Sequence, residues 1–529
     1  MSTQGATARR VYITTTIPYV NGRPHLGHAL EFVQADVLAR HYRRQGDDVR
    51  LQTGTDDNSL KNVLAAQAAG VGVREFVETH AAAFVALAGP LSLSFDDVIC
   101  TSSDARHRVG VERLWRACAA AGDLYRAHYQ GRYCVGCEQF YADDELVGGR
   151  CPEHDAEPQL VSEQNWFFRL SRYAGRLHEE ITSGRLRIEP PGRRREVLAF
   201  IEGGLADFSI SRSTQRAHGW GIPVPGDPSQ VIYVWWDALG NYVTALGHGT
   251  GADDLTRWWT AADRRVHVVG KGVLRFHAVY WPAMLLSAGL ALPTDILVHD
   301  YLTIAGAKIS KSAGNVVDPA ELAAEYGTDA IRWWLLRDVP RTGDADFTSE
   351  RLVARGNDEL ANGIGNLVSR VVAMIHRYRD GRVPQWCPGH SDQNGGTRAS
   401  DSARLTASCQ DAPVRVARGL ADGDFRAATG AVWQIADEAN RYLSRLRPWE
   451  LARAEAAGDP EAGRLLDEVL ATALGACQRL AAELEPFLPD AAARISAQCA
   501  GTGDGYLARP VPVFPRLAEP VSLRCVVVV

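Results

Sequence analysis

Between Val11 and Ile17 the chain runs Val-Tyr-Ile-Thr-Thr-Thr-Ile, β-branched and aromatic throughout. From His25 to Arg44 its apolar positions recur every three to four residues, and the turn-forming run Pro18 to Pro24 lies between the two patterns. A β-branched and aromatic run followed by a period near 3.6 predicts a strand, a turn and a helix. The alternation continues with a strand at Val49 to Thr53 and a helix at Ser59 to Ala69, the opening of a doubly wound parallel α/β sheet. From about Tyr125 to Pro225 the pattern is lost while cysteine, glycine and proline rise, so this stretch reads as an inserted domain. Strand-like runs return at Val231 to Trp235, Val266 to Val269 and Asp295 to Val298. After Thr348 the strand signal ends. Arg351 to Arg379 and Arg404 to Leu488 read as an α-helical bundle divided by the Gly/Pro/Ser-rich loop Asp380 to Thr397. The apolar end, Val511 to Pro515 and Val521 to Val529, is compatible with packing back on the body or with disorder.

Composition narrows this picture only a little. With 529 residues, 46% hydrophobic and 23% charged, the chain has the profile of an ordinary globular protein of several domains, neither disordered nor fibrous. The first ten residues lack a signal-like apolar core, and no stretch reaches the ~18 uninterrupted apolar residues of a membrane span; a cytoplasmic location is expected. A net charge of −6 argues against a basic coat and leaves open a partner gripped through one local patch. Ten cysteines are too few for a disulfide scaffold and should be reduced thiols. The basic residues are more telling: of 57, only Lys61, Lys271, Lys308 and Lys311 are lysine. A surviving lysine marks a place where a compact ammonium can do what a planar guanidinium cannot.

Two of those lysines belong to a candidate catalytic pair of motifs. His25-Leu26-Gly27-His28 sits where the first turn feeds the first helix. Two histidines at i and i+3 share a helix face at the positive end of the dipole, beside a glycine that admits a bulky ligand, which suits a polyphosphate. Lys308-Ile309-Ser310-Lys311-Ser312 is expected on a flexible loop after the last α/β strand. Such a loop can close over a triphosphate and neutralise charge during in-line displacement. Read singly, the histidines could equally be two surface side chains at a helix start. Elsewhere, Cys134-x2-Cys137, thirteen residues, then Cys151-x2-His154 forms two short-spaced pairs able to close a tetrahedral, structural Cys3His zinc site.

These motifs resemble the HIGH and KMSKS signatures of the class I aminoacyl-tRNA synthetases, and within that class the methionyl-tRNA synthetase family, over nearly the whole chain from Tyr12 to about Pro515. The resemblance implies adenylation chemistry by His25, His28, Asp56, Arg212, Lys308 and Lys311, with Asp56 on the amino acid's ammonium. It implies ATP contacts at His25, Gly27, His28, Gly270, Lys271, Lys308, Ser310 and Lys311, and Mg2+ entering with ATP. A methionine pocket is implied from Ile17, Tyr19, Asp56, Trp235, Ala238, Leu239, Tyr242, Val273, His277 and Trp281; an aromatic, apolar cage suits a polarisable thioether, although such residues also make ordinary core. The zinc pattern is similar to the family's knuckle. Asn366, Arg370 and Trp449 match its anticodon contacts, an amide, a guanidinium and an indole being the set that reads unpaired bases. The implied partners are tRNA(Met), ATP and L-methionine, with no membrane, and the chain is expected to be a monomer.

The expected layout is a Rossmann-like catalytic domain split into 1–120 and 227–325 around an inserted zinc-knuckle domain, 121–226. A stem-contact region, 326–360, an α-helical anticodon-binding domain, 361–515, and a tail, 516–529, follow. The sequence also departs from the family. Gly272 stands where aspartate usually follows the lysine, and Asp57-Asn58-Ser59 stands where Glu-His-Gly usually follows the catalytic aspartate. The first change removes an acceptor for ribose hydroxyls, and the second alters the floor of the amino-acid site. Asn58 and Ser59 raise the option of a second, inhibitor-tolerant copy of a methionine–tRNA ligase. Two rival readings are a biosynthetic adenylating paralogue with a non-tRNA acceptor and a catalytically weak tRNA-binding paralogue.

Overall fold

The first predicted strand, Arg10–Thr15, is buried at the centre of a six-stranded sheet. On one side it pairs with Asp48–Thr55, which pairs with Asp97–Cys100; on the other it pairs with Arg264–Gly270, then Asp295–His299, then Arg187–Glu189. Every pairing is parallel. The chain therefore winds outward in one direction from Arg10–Thr15 and returns on its other flank. The crevice of such a sheet opens at the carboxyl ends of the strands where the winding reverses, here beyond Thr15 and Gly270. The turn before helix Leu26–Arg44 and the short turn Lys271–Val273 both emerge at that edge.

This computed structural model describes residues 8–136, 138–141, 143–152, 156–309, 316–384 and 397–519. They fall into two compact units, Met1–Gly89 with Leu93–Asp300, and Pro90–Ser92 with Tyr301–Val529. The first unit holds the parallel sheet and a four-stranded antiparallel sheet built on the long pair Leu124–Cys134 and Gln159–Phe168. In the second unit, a small sheet of Leu302–Ile304, Ala307–Lys308 and Ala345–Asp346 precedes a helical array. That array includes Thr328–Arg337, Asn366–Arg379, Thr397–Ala421, Phe425–Leu446, Pro448–Ala456, Pro460–Leu484 and Pro489–Cys499. Arg332 is fully buried there, and its guanidinium donates to the carbonyls of Phe487 (2.7 Å), Leu91 (2.9 Å) and Pro486 (3.2 Å). The chain's last described stretch packs back: Val513 and Phe514 are buried, and Asn357 exchanges hydrogen bonds with the backbone of Leu517 at 2.8 and 3.0 Å, while Val521 to Val529 lie outside the described residues. Among the described residues no helix is long and apolar enough to cross a membrane.

Two expectations change. The run Val231 to Trp235 is no strand of the parallel sheet. Strand Asp227–Ile232 runs antiparallel to Ser211–Ser213 and Pro223–Val224 in a separate three-stranded sheet, and helix Val234–Thr244 begins immediately after it. The cause is visible in burial: Trp236, Leu239 and Tyr242, with Val243 and Leu246, are buried at helical spacing, a period that five residues of Val, Ile, Tyr and Trp cannot reveal. Conversely, Arg187–Glu189, inside the stretch read as inserted, is the edge strand of the main sheet.

Candidate functional site

The HLGH segment folds as a histidine capping box. His25, extended at φ −132°, is the N-cap of helix Leu26–Arg44. Its Nδ1 accepts the Gly27 N–H at 3.1 Å, while His28 Nδ1 accepts the His25 N–H at 3.0 Å. The rings stack at 3.7 Å, and His28 also packs edge-on against Phe84. A capping box ordinarily uses a hydroxyl and a carboxylate. With imidazoles in both roles each Nδ1 is committed as acceptor, so the neutral rings carry their proton on Nε2 and offer donors at the positive end of a helix. A Cβ on Gly27 would stand 3.0 Å from the His25 ring.

Asp56 follows strand Asp48–Thr55 and is tied to the first strand's exit, where its N–H donates to Pro18 at 2.9 Å beside the bridge to Tyr19. Gly54 allows this approach, because a Cβ there would lie 2.3 Å from the Ile99 carbonyl and 3.0 Å from the Ile17 side chain. Asp56 is 2% exposed, and its Oδ1 has no hydrogen-bond partner among the described residues; neither does the shielded hydroxyl of Tyr19. Burial, then the charges of Asp237, Glu138 and Asp57, push the Asp56 carboxyl well above its ordinary range. A buried carboxylate crowded by three others calls for a cation.

The predicted pocket residues gather on helix Val234–Thr244 and the turns after Gly270. Trp235 stacks face to face on Phe276 at 3.8 Å, and Tyr19 meets Trp235 edge-on at 6.2 Å. Tyr242, buried, hydrogen-bonds His277 Nε2 at 2.7 Å, and His277 Nδ1 lies 2.9 Å from the Val273 carbonyl. A carbonyl can only accept, so Nδ1 bears the proton and the Tyr242 hydroxyl donates to Nε2. Burial lowers His277 to about 4, which keeps this chain neutral. Trp281 lies 5.8 Å from Tyr242 and donates to His267 at 3.3 Å. Ala238 and Leu239 are buried on the same helix, and Ile17 and Val273 are half-buried.

Over most of its length the chain is similar to known proteins. The family model described as "tRNA synthetases class I (M)" matches residues 11–159 and 154–372. The methionine–tRNA ligase of Brucella suis is 38% identical over 532 residues, covering 96% of this chain and 98% of the relative. That of Mycobacterium bovis is 40% identical over 490 residues, covering 92% and 91%. A solved structure of Mycobacterium tuberculosis methionyl-tRNA synthetase in complex with methionyl-adenylate matches with a TM-score of 0.89 at 36% identity, over 96% of this chain and 100% of that one. The chain belongs to the methionyl-tRNA synthetase family.

Relative to the pattern of that family, the unusual residues at the site floor have partners. Ser59 caps helix Leu60–Ala69 by accepting the Lys61 N–H at 3.0 Å, and its hydroxyl donates to Glu138. Asn58 donates its amide to Asp237 at 2.6 Å. Glu138 was not foreseen from sequence. It is 2% exposed at a positive φ of 55° on the antiparallel sheet's turn, and its carboxylate also accepts the Lys61 N–H at 3.1 Å. Its carbonyl accepts the Tyr233 hydroxyl, and Tyr233 lies under Arg212 at 4.1 Å. Arg212 is further held by the Ser211 carbonyl at 2.7 Å and the Ser209 hydroxyl at 2.9 Å. Gly270 ends its strand, and half-buried Lys271 opens the following turn; Gly272 is exposed.

The remaining synthetase signatures are described only in part. Rather than lying wholly on a loop, the KISKS segment begins on strand Ala307–Lys308, which pairs with Leu302–Ile304 across a tight turn, Ala305-Gly306, with positive φ at both residues. Ser310 and Lys311 lie outside the described residues. So do Cys137 and His154, whereas Cys134 and Cys151 are buried in a small cluster with Tyr141, apart from the main core. Among the described residues no group of three or more metal-ligating side chains is assembled. In the second unit, exposed Asn366 and half-buried Arg370 lie one helical turn apart on Asn366–Arg379, and Trp449 is half-buried at the start of Pro448–Ala456.

Proposed function

We propose that this member of the methionyl-tRNA synthetase family activates L-methionine with ATP to methionyl-adenylate and then transfers the methionyl group to the 3′ end of tRNA(Met). The observation that carries the reading is the unpartnered, buried Asp56 Oδ1 beside Tyr19, whose ring meets Trp235, an arrangement suited to an ammonium next to a thioether. In the first step the methionine carboxylate attacks the α-phosphate and pyrophosphate leaves. No protein nucleophile is needed, and the enzyme's task is positioning and charge stabilisation. His25 and His28 present Nε2–H donors, Gly27 leaves room for the nucleotide, and Gly270 and Lys271 flank it. Lys308, Ser310, Lys311 and Arg212 are assigned to its phosphates, where Mg2+ accompanying ATP supplies further positive charge. Asp56 holds the substrate ammonium.

Amino-acid-dependent pyrophosphate exchange over a panel of amino acids, with tRNA charging in parallel, tests the reading. Exchange with methionine and charging of tRNA(Met) are expected. Exchange without charging of any tRNA would favour a biosynthetic adenylating enzyme, for which no observation here speaks. A cytoplasmic monomer is part of the same reading, with sedimentation as the check on its mass.

Zinc is assigned to Cys134, Cys137, Cys151 and His154. The two thiols that are described sit buried in one small cluster, as half of a thiolate-rich structural set should. About one zinc per chain is expected in a reducing preparation, and Cys134→Ser should lose it and loosen the antiparallel sheet before the rest. A folded, zinc-free parent protein would remove this assignment.

Anticodon reading is assigned to Asn366, Arg370 and Trp449. Trp449→Ala should cost ~1–3 kcal/mol in charging efficiency, the worth of one stacked base, with pyrophosphate exchange nearly unchanged. Equal loss of both activities would make Trp449 a packing residue.

A further inference from the structure

Asp56 and Asp237 are both buried in the site floor, yet their surroundings differ. Both Asp237 oxygens are occupied: Oδ2 accepts the Asn58 amide at 2.6 Å and Oδ1 pairs with His107 Nε2. His107 is wholly buried, and its Nδ1 lies 2.8 Å from the Thr244 hydroxyl. Asp56 Oδ1 has no partner among the described residues. Asn58 stands two residues past Asp56, and its side chain is fastened to Asp237. The backbone beneath is held independently, with Asn62 donating to the carbonyls of Asp56 and Asp57 at 2.9 Å each and Trp220 donating to that of Asp57 at 2.8 Å.

We propose that Asn58, Asp237 and His107 form a positioning relay that ties up one buried carboxylate with donors, so that the substrate ammonium is addressed to the other, Asp56. One donor on each oxygen weakens the pull of Asp237 on a cation; a buried carboxylate lacking them would draw the ammonium out of register. Misplacing a charged anchor by about 1 Å is enough to cost ~100-fold in a positioned reaction. The residues that set this geometry come from three elements far apart in sequence: the turn after strand Asp48–Thr55, helix Ala105–Ala120 and helix Val234–Thr244. The relay rests on the reading that Asp56 binds the methionine ammonium.

The test is a polarity swap. Asn58→Asp places two carboxylates at hydrogen-bond distance and should raise the methionine KM in pyrophosphate exchange roughly 100-fold. The ATP KM, and kcat at saturating methionine, should stay within about threefold of the parent. Adding Asp237→Asn restores a donor and an acceptor with their direction reversed, leaves an oxygen for His107, and should bring the methionine KM back to within about threefold to tenfold. Should Asn58→Asp fail to unfold cooperatively, Asn58→Ala, with an expected rise of about tenfold, carries the same comparison. An unchanged methionine KM in a folded Asn58 variant, a parallel rise in both KM values, or no recovery in the swap overturns the relay. A parent enzyme without methionine-dependent exchange overturns the underlying reading instead.

Discussion

Lys311→Ala is expected to slow methionyl-adenylate formation by roughly 100- to 1,000-fold, the cost of removing one preorganised group that stabilises charge in a transition state, while methionine affinity changes little. The reasoning joins composition to chemistry. In a chain whose basic residues are almost all arginine, two of four lysines lie three positions apart in one motif. An ammonium is a compact charge on a flexible stem, suited to following the pyrophosphate as it departs. A group that acts on the transition state lowers kcat and kcat/KM together and leaves ground-state binding nearly intact. Rapid-quench measurement of adenylate formation, set against equilibrium methionine binding, separates the two. An undiminished rate would remove Lys311 from the reaction.

Asp56→Asn should have an effect as large and opposite in kind, falling on methionine binding. Leaving the ammonium without its counter-charge in a buried site costs ~3–5 kcal/mol, or about two to three and a half orders of magnitude in kcat/KM for methionine. The same substitution should raise the stability of the free enzyme. Burial and the neighbouring Asp237, Glu138 and Asp57 push the Asp56 carboxyl up, so the folded chain holds its proton above the pH at which the unfolded chain releases it. Stability from such a group is complete below the unfolded value and is lost as pH rises through the folded one. Melting temperatures from pH 4 to pH 8 should therefore fall less in the variant than in the parent. For the parent, kcat/KM for methionine should rise across that interval as the carboxylate ionises. A variant that is both less stable and normal in methionine KM would contradict the role given to Asp56.

The features legible in the sequence are those written within one short stretch. HLGH is local, and Asp56 is one residue past a strand whose alternation is plain. The long helices of the second half announce themselves by period. What escaped was set by distance along the chain. Asn58 stood out only as a departure, because its partner Asp237 lies 179 positions away, and His107 is 130 positions from Asp237. Glu138 looked like one more residue in a cysteine-rich turn until folding carried it against Ser59. Arg187–Glu189 is too short for any period to show, and Val231 to Trp235 joined the end of a strand to the start of a helix in a run whose residue types favour strands.

The burial of Arg332 bears on how the gene can be divided. Its guanidinium is satisfied by main-chain carbonyls, one of them from Leu91, and Pro90–Ser92 belong to the second compact unit although Leu93–Asp300 returns to the first. A fragment beginning at Tyr301 would possess all the helices of that unit yet lack the strap, leaving a buried cation short of an acceptor. A clean split of this protein into autonomous halves would have to carry that three-residue detour along, for instance by grafting it onto the helical fragment, since no single cut separates the two units.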